Sequence, residues 1–308
     1  MAQTTPLVLR LAALSVNAAN RAGKIIRDVW SQGDLGIVDK GQNDPQTEAD
    51  RSSQRCIIAS LLNQFPNVKI IGEEGSCNVE VPSDWLVTEG DQSILQLNCP
   101  KEYQSATDND VVVWVDPLDG TSEYTQGLLE HVTVLVGIAV RGTAVGGIIH
   151  QPYYGHASGA ETLGRTLWGI KGIGVGGFTP ALPPANQRII ATTRSHSNPL
   201  AEQAIAALKA DKVLAVGGAG HKVILLMEGK AHAYVFARGG TKRWDTCAPE
   251  VVLEAMGGRL TDMRGVQYLY DHDTNHNNTG GVLATAKGED HEWYIKNIPE
   301  NVREALKQ

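Results

Sequence analysis

Five apolar residues, Val111-Val112-Val113-Trp114-Val115, run directly into Asp116-Pro117. Four of the five are β-branched, and such a run bounded by turn-forming residues reads as a buried strand. Proline has no N–H for a ladder, so the chain is expected to leave the sheet after Asp116. A second carboxylate, Asp119, follows three residues later, just before Gly120-Thr121. The fold must therefore contain a sheet with two acids at its rim. Taken alone, the segment also suits a plain Pro-Asp-Gly turn.

The rest of the chain surrounds that strand with alternating patterns. Leu7, Leu11, Leu14, Ala18, Ile25 and Val29 share one helical face, which Gly33 ends. A second helix is expected from Gln46 to Phe65, and a short strand over Lys69–Gly72. Val132–Val140 and Ala144–His150 read as a hairpin, followed by a strand over Arg165–Lys171. After a Gly/Pro-rich connection, 172–184, strands and helices alternate. Strands are expected at 188–192, 212–216, 231–236, 258–261 and 281–285. Helices are expected at 199–208, 221–228 and 249–256, with one more at the C-terminus. The reading is an α+β body of two halves, 1–180 and 187–308.

The chain has 308 residues, 42% of them hydrophobic, enough for a substantial core. With 27 basic and 34 acidic residues its net charge is −7, which offers no field to attract nucleic acid. An anionic ligand would need metal ions or a few placed basic groups. Val132–Val140 falls far short of the roughly 20 residues that cross a bilayer. No hydrophobic signal core opens the chain, so no membrane partner and a cytoplasmic location are expected. The spacing of Cys56, Cys77, Cys99 and Cys247 matches no zinc or redox pattern, and free thiols are expected. The sequon Asn277-Asn278-Thr279 is read as chance.

More acids fall in telling places. Asp50 lies seven residues before Ile57, so it shares the packed side of its helix. Glu73 ends the strand Lys69–Gly72. Asp245, near a helix start, lies seven residues before the apolar Val252. Each alone also suits a helix dipole or a solvated loop. Together they form a set of carboxylates that would repel one another without cations between them. The chemistry that follows is metal-assisted phosphate ester hydrolysis, with two Mg²⁺ about 3.5–4 Å apart.

Asp-Pro-Leu-Asp-Gly-Thr (116–121), Gly-Glu-Glu (72–74) and Trp-Asp (244–245) resemble the three metal-binding motifs of the lithium-sensitive, Mg²⁺-dependent phosphomonoesterases. That superfamily includes inositol monophosphatases, fructose bisphosphatases and bisphosphate nucleotidases. The resemblance extends over nearly the whole chain. Thr192-Thr-Arg-Ser-His-Ser-Asn198 and Val216-Gly-Gly-Ala-Gly220 point to the nucleotidase branch. It implies a layered αβαβα sandwich. Glu73, Asp116, the Leu118 carbonyl, Asp119 and Asp245 would hold two or three Mg²⁺. Asp50 and Thr121 would deprotonate the attacking water. The N–H groups of Gly120 and Thr121 would grip the phosphate being cleaved.

By the same resemblance, Thr193, Ser195 and His196, with Gly218 and Lys222, would hold a nucleotide. The implied substrate is adenosine 3′,5′-bisphosphate, cleaved to AMP and phosphate, with Li⁺ as inhibitor. The sulfated analogue 3′-phosphoadenylyl sulfate and inositol 1,4-bisphosphate are expected as further substrates. A monomer is expected. The alternatives are a sibling phosphatase acting on inositol phosphates and a metal-dependent nucleotide sensor. Two other motifs fail on context. Gly172-Ile-Gly-Val-Gly-Gly177 has dinucleotide-motif spacing but runs into Phe178-Thr179-Pro180 and reads as a glycine-rich β-turn. The acids at 116 and 119 are three apart, not the two of an aspartyl-phosphate site.

Overall fold

A computed structural model of the chain describes residues 5–41, 45–75, 80–194 and 198–306. Helix α1 (Leu7–Gln32) buries the whole expected face and stops at Gly33, whose φ of 80° is left-handed. Two antiparallel strands of two residues each, β1 (Val38–Asp39) and β2 (Pro45–Gln46), precede α2 (Glu48–Gln64). Strand β3 (Lys69–Gly72) follows, then a loop region holding the single turn α3 (Gln92–Leu95).

Strand β4 (Val111–Asp119) does not end at Asp116. Its ladder with β5 (Thr133–Val140) pairs Asp116 with Leu135, then resumes with Asp119 opposite Thr133. Three steps on β4 oppose two on β5, so Pro117 sits in a bulge where no ladder N–H is required. The expected turn is thus a bulge, and every residue from 111 to 119 is buried. Next come α4 (Thr121–Thr125), then β6 (Thr143–Gln151), β7 (Arg165–Ile170) and β8 (Gly174–Gly176). The glycine-rich run at 172–177 therefore forms a sheet edge and opens no helix. The six strands lie in the order β3-β4-β5-β6-β7-β8, parallel only at β3/β4.

The second half builds its own sheet. It runs β9 (Ile189–Thr193), α5 (Pro199–Ala207), β10 (Lys212–Val216), α6 (Ala219–Met227) and β11 (Ala233–Phe236). Then come α7 (Arg243–Ala255), β12 (Arg259–Thr261), β13 (Val282–Thr285), α8 (His291–Asn297) and α9 (Glu300–Ala305). Its strand order is β10-β9-β11-β13-β12, with β9 parallel to both neighbours. The expected single C-terminal helix is two, because Pro299 interrupts it and caps α9.

Three cores define five layers. One joins α1 and α2 to the outer face of the first sheet. The middle core places α6 and α7 between the two sheets, against Trp114, Leu135, Tyr234 and Leu260. The third packs α5, α8 and α9 on the far face of the second sheet. The expected αβαβα sandwich is the observed architecture.

Helix α7 starts at Arg243, six residues before the expected Pro249. Pro249 suggests a first helical position, yet it lies inside the helix, where it lacks an N–H for the carbonyl four residues back. Tight docking holds α7 there. Gly137, Gly147 and Gly169 lie side by side across β5, β6 and β7. A Cβ on Gly137 would fall 2.5 Å from Cys247 Sγ, and one on Gly169 would fall 2.7 Å from Val252 Cα. On Gly147 it would strike the Ala248 carbonyl. This bare track lets α7 sink onto the first sheet and carries Asp245 toward the end of β4.

Candidate active site

The acids converge where the two halves meet. Asp116 and Asp119 flank the β4 bulge, and Asp245 stands in the first turn of α7. One carboxylate oxygen from each lies within 4.8 Å of the other two. Among the described residues these are the acids close enough to share an ion. The Asp116 carboxylate accepts a hydrogen bond from the Leu118 N–H at 3.1 Å. Asp245 accepts from the Lys242 N–H at the helix start.

Burial, together with the neighbouring acids, pushes the Asp116 and Asp245 carboxyls up from their ordinary values. Burial and the Asp245 charge do the same to Glu73. Glu73 stands beside the triad, where the Lys40 ammonium reaches it at 3.4 Å and Glu74 at 2.9 Å. An all-oxygen donor set whose negative charge the nearby lysines only partly offset suits a hard cation such as Mg²⁺.

Beside the cluster lies a hydroxyl–carboxylate pair. Asp50, in the first turn of α2, is 1% exposed. Its Oδ2 accepts from the Thr47 N–H at 2.8 Å and the Thr47 hydroxyl at 2.5 Å. Its Oδ1 accepts from Thr121 Oγ1 at 2.8 Å. Burial raises the Asp50 carboxyl to about 6, against the opposing pull of those donors. A carboxyl poised there can take a proton near neutral pH.

A cleft of ≈ 240 Å³ opens over the acid cluster and Thr121. Glu73, Asp116, Leu118, Asp119, Gly120, Thr121 and Asp245 line one side; Thr193, Gly218 and Lys222 line another. Lys222 is buried, and burial lowers its ammonium from the ordinary value. Its Nζ donates to the Gly218 carbonyl at 2.9 Å. Gly218 has φ 69°, and a Cβ there would fall 2.5 Å from the His131 carbonyl. The expected residues Ser195 and His196 lie outside the described residues. A larger hollow of ≈ 640 Å³, beside α6, contains Arg165 and Glu228. Those two pair with each other, and the acid cluster lies elsewhere.

Several lining or supporting residues were not expected from the sequence. Glu123, Tyr234, Phe236 and Thr241 also line the cleft. Thr133 donates to Asp119 Oδ2 at 2.6 Å. The signal for Thr133 is its hydroxyl inside the apolar run Val132–Val140. Lys40 gives no such signal, because its reach depends on the pairing of β1 with β2.

Carboxylates from a strand bulge and a helix start thus lie beside a buried acid–hydroxyl pair, and comparison with known proteins gives the family. The inositol monophosphatase family model matches residues 8–303, and the chain belongs to that family. It is 49% identical over 308 residues to the human protein named 3′(2′),5′-bisphosphate nucleotidase 1, covering 99% of each chain. The protein of the same name from Dictyostelium discoideum is 38% identical, covering 94% of this chain and 96% of the relative. Mouse Golgi-resident adenosine 3′,5′-bisphosphate 3′-phosphatase is 30% identical, covering 94% and 81%. Among solved structures, extragenic suppressor protein suhB from Bartonella henselae superposes with a TM-score of 0.67 at 20% identity, covering 93% and 97%. An IMPase from Thermotoga maritima gives 0.66 at 20%, covering 95% and 98%. These two likenesses speak for the fold. No helix among the described residues is long and apolar enough to cross a membrane.

Proposed function

We infer that the chain is a Mg²⁺-dependent, lithium-inhibited 3′(2′),5′-bisphosphate nucleotidase that hydrolyses adenosine 3′,5′-bisphosphate to AMP and phosphate. One observation carries the chemistry: the Thr121–Asp50 hydrogen bond beside the three-carboxylate cluster. The choice of substrate rests on relatives named for it along almost the whole chain. The same site would accept 3′-phosphoadenylyl sulfate and inositol 1,4-bisphosphate.

Asp116, Asp119, Asp245, Glu73 and the Leu118 carbonyl would hold two or three Mg²⁺. Bound there, the ions supply Lewis-acid charge for the phosphate and a water of lowered pKa. The Thr121 hydroxyl accepts a proton from the attacking water and hands its own to Asp50 Oδ1. The N–H groups of Gly120 and Thr121 steady the phosphate oxygens. Lys222 and the Gly218 backbone, with Thr193, Ser195 and His196, hold the nucleotide. In this division of labour, residues 1–180 bring most metal ligands. Residues 187–308 bring Asp245 and the nucleotide loops.

Initial rates on adenosine 3′,5′-bisphosphate and inositol 1-phosphate, with and without millimolar LiCl, test the reading. Lithium-blocked release from the nucleotide supports it. Release from the inositol ester alone shifts the assignment to the inositol phosphatases. Binding without turnover would make the chain a sensor. The reading includes a cytoplasmic monomer, consistent with the buried free thiols Cys56, Cys99 and Cys247. Fractionation and light scattering check those two points.

A further inference from the structure

Asp119 belongs to two structures at once. One of its oxygens contributes to the cluster with Asp116 and Asp245. Yet Oδ1 also accepts from the Ala219 N–H at 2.8 Å, and Oδ2 from the Gly220 N–H at 2.8 Å. These are the first two residues of α6, the helix that presents Gly218 and Lys222 to the nucleotide side of the cleft. The third donor is the Thr133 hydroxyl, at 2.6 Å from Oδ2.

Thr133 stands opposite Asp119 in the β4/β5 ladder and is fully buried. Its neighbours Val132, Val134, Leu135 and Val136 are apolar and fully buried as well. A valine would fill the same space and suit a strand equally well, whereas a buried hydroxyl needs a partner. The hydroxyl's partner is the Asp119 carboxylate. The fit around it is close. A Cβ on Gly220 would lie 2.5 Å from Thr133 Oγ1 and 2.8 Å from Leu135 Cδ2. Three donors on two oxygens fix the carboxylate plane and leave one free lone pair, on Oδ1, with a set direction.

We propose that Thr133 is a positioning residue: its hydroxyl, with the N–H groups of Ala219 and Gly220, locks Asp119 in the one orientation that serves both the cation cluster and the nucleotide-binding start of α6. The proposal rests on the metal-dependent reading above and adds a residue outside the metal and nucleotide contacts. Hydrogen-bond partners of metal ligands typically matter 10–100-fold in metal affinity. Without the hydroxyl, Asp119 can rotate. Metal affinity then falls, and KM for the nucleotide rises as α6 loosens.

The test uses the full chain and Mn²⁺ as the probe ion, with free Mn²⁺ read by electron paramagnetic resonance. Thr133→Val is expected to weaken Mn²⁺ binding by about tenfold or more, and to raise the Mg²⁺ needed for half-maximal rate in step. Thr133→Ser, which keeps the hydroxyl, is expected to stay within about threefold of wild type. Thr133→Ala compared with Thr133→Ser isolates the hydroxyl again, since both lack the γ-methyl; this pair decides the matter if the valine variant does not fold. Wild-type Mn²⁺ affinity in Thr133→Val, or equal losses in the serine and alanine variants, would overturn the proposal. Mn²⁺ binding needs no nucleotide. Failure of the substrate assignment would instead appear as wild-type protein that binds Mn²⁺ normally but does not cleave adenosine 3′,5′-bisphosphate.

Discussion

Thr121 and Asp50, 71 residues apart in sequence, meet through a 2.8 Å hydrogen bond from Oγ1 to Oδ1. The helix α2 brings Asp50 in from one side, and the chain leaving the β4 bulge brings Thr121 from the other. A threonine hydroxyl is too weak a base to act alone, and a buried carboxylate has no access to the water. In the mechanism proposed above the pair would work as a relay, each member supplying what the other lacks.

Breaking the relay should stop turnover while leaving the cation cluster in place. Asp50→Asn and Thr121→Val are each expected to lower kcat by about 10²–10⁴-fold. Mn²⁺ binding should stay within a few-fold of wild type. Steady-state rates at saturating Mg²⁺, beside a Mn²⁺ titration, check both. An equal loss of metal affinity would place these residues among the ligands instead.

In the proposed relay Asp50 must be ionised to receive the proton. Burial raises its carboxyl to about 6, and cations bound nearby would lower it by favouring the charged form. The kcat/KM profile on the nucleotide should therefore rise with unit slope through a limb at or below about pH 6. A limb centred above pH 7 would contradict this role for Asp50.

The glycine track under α7 predicts a defect transmitted to the site. A side chain on Gly147 would strike the Ala248 carbonyl, and the rigid backbone on both sides cannot yield locally. Gly147→Ala should destabilise the chain by about 1–3 kcal/mol in urea, as overpacking does. It should also weaken Mn²⁺ binding, because Asp245 rides on the displaced helix. Gly146→Ala is the milder control, since its Cβ would come nearest to the Ile138 side chain, 3.2 Å from Cδ1 and 3.4 Å from Cβ.

Glu250 sets a separate pH dependence. It is buried on α7, where Tyr270 Oη donates to its Oε2 at 2.6 Å. Burial raises it to about 8 from a usual 4.5. Between those values the folded chain holds a proton that the unfolded chain has lost, so folding stability falls as pH rises. This contribution is fully present below pH 4.5 and lost through pH 8. Glu250→Gln should flatten that decline, as read by urea unfolding at pH 5, 6.5 and 8. Parallel curves for the two proteins would count against it.

Much of this was legible in residue order alone. The β-branched runs at Val111 and Val132 mark the existence of two buried strands, and Gly33 marks the end of α1. The acids at 50, 116, 119 and 245 are legible because carboxylates on apolar faces need an explanation. The start of α7 was not legible, because Pro249 suggests a helix beginning and only tertiary packing shows otherwise. The glycine track depends on strand register, which no local pattern encodes. The β4 bulge likewise needs the partner strand. Thr133 shows its hydroxyl in the sequence, but its partner emerges only when β5 is laid beside β4.

In the proposed reaction the carboxylate cluster, with divalent cations, would direct water to the 3′-phosphate of a nucleoside bisphosphate. Its most direct test is product identity from adenosine 3′,5′-bisphosphate, using protein stripped with EDTA and then supplied with Mg²⁺. No products should appear before Mg²⁺ is added. Afterwards adenosine 5′-monophosphate should form with one equivalent of phosphate. Phosphate release without Mg²⁺, adenosine 3′-monophosphate as the nucleotide product, or no hydrolysis at all would contradict it.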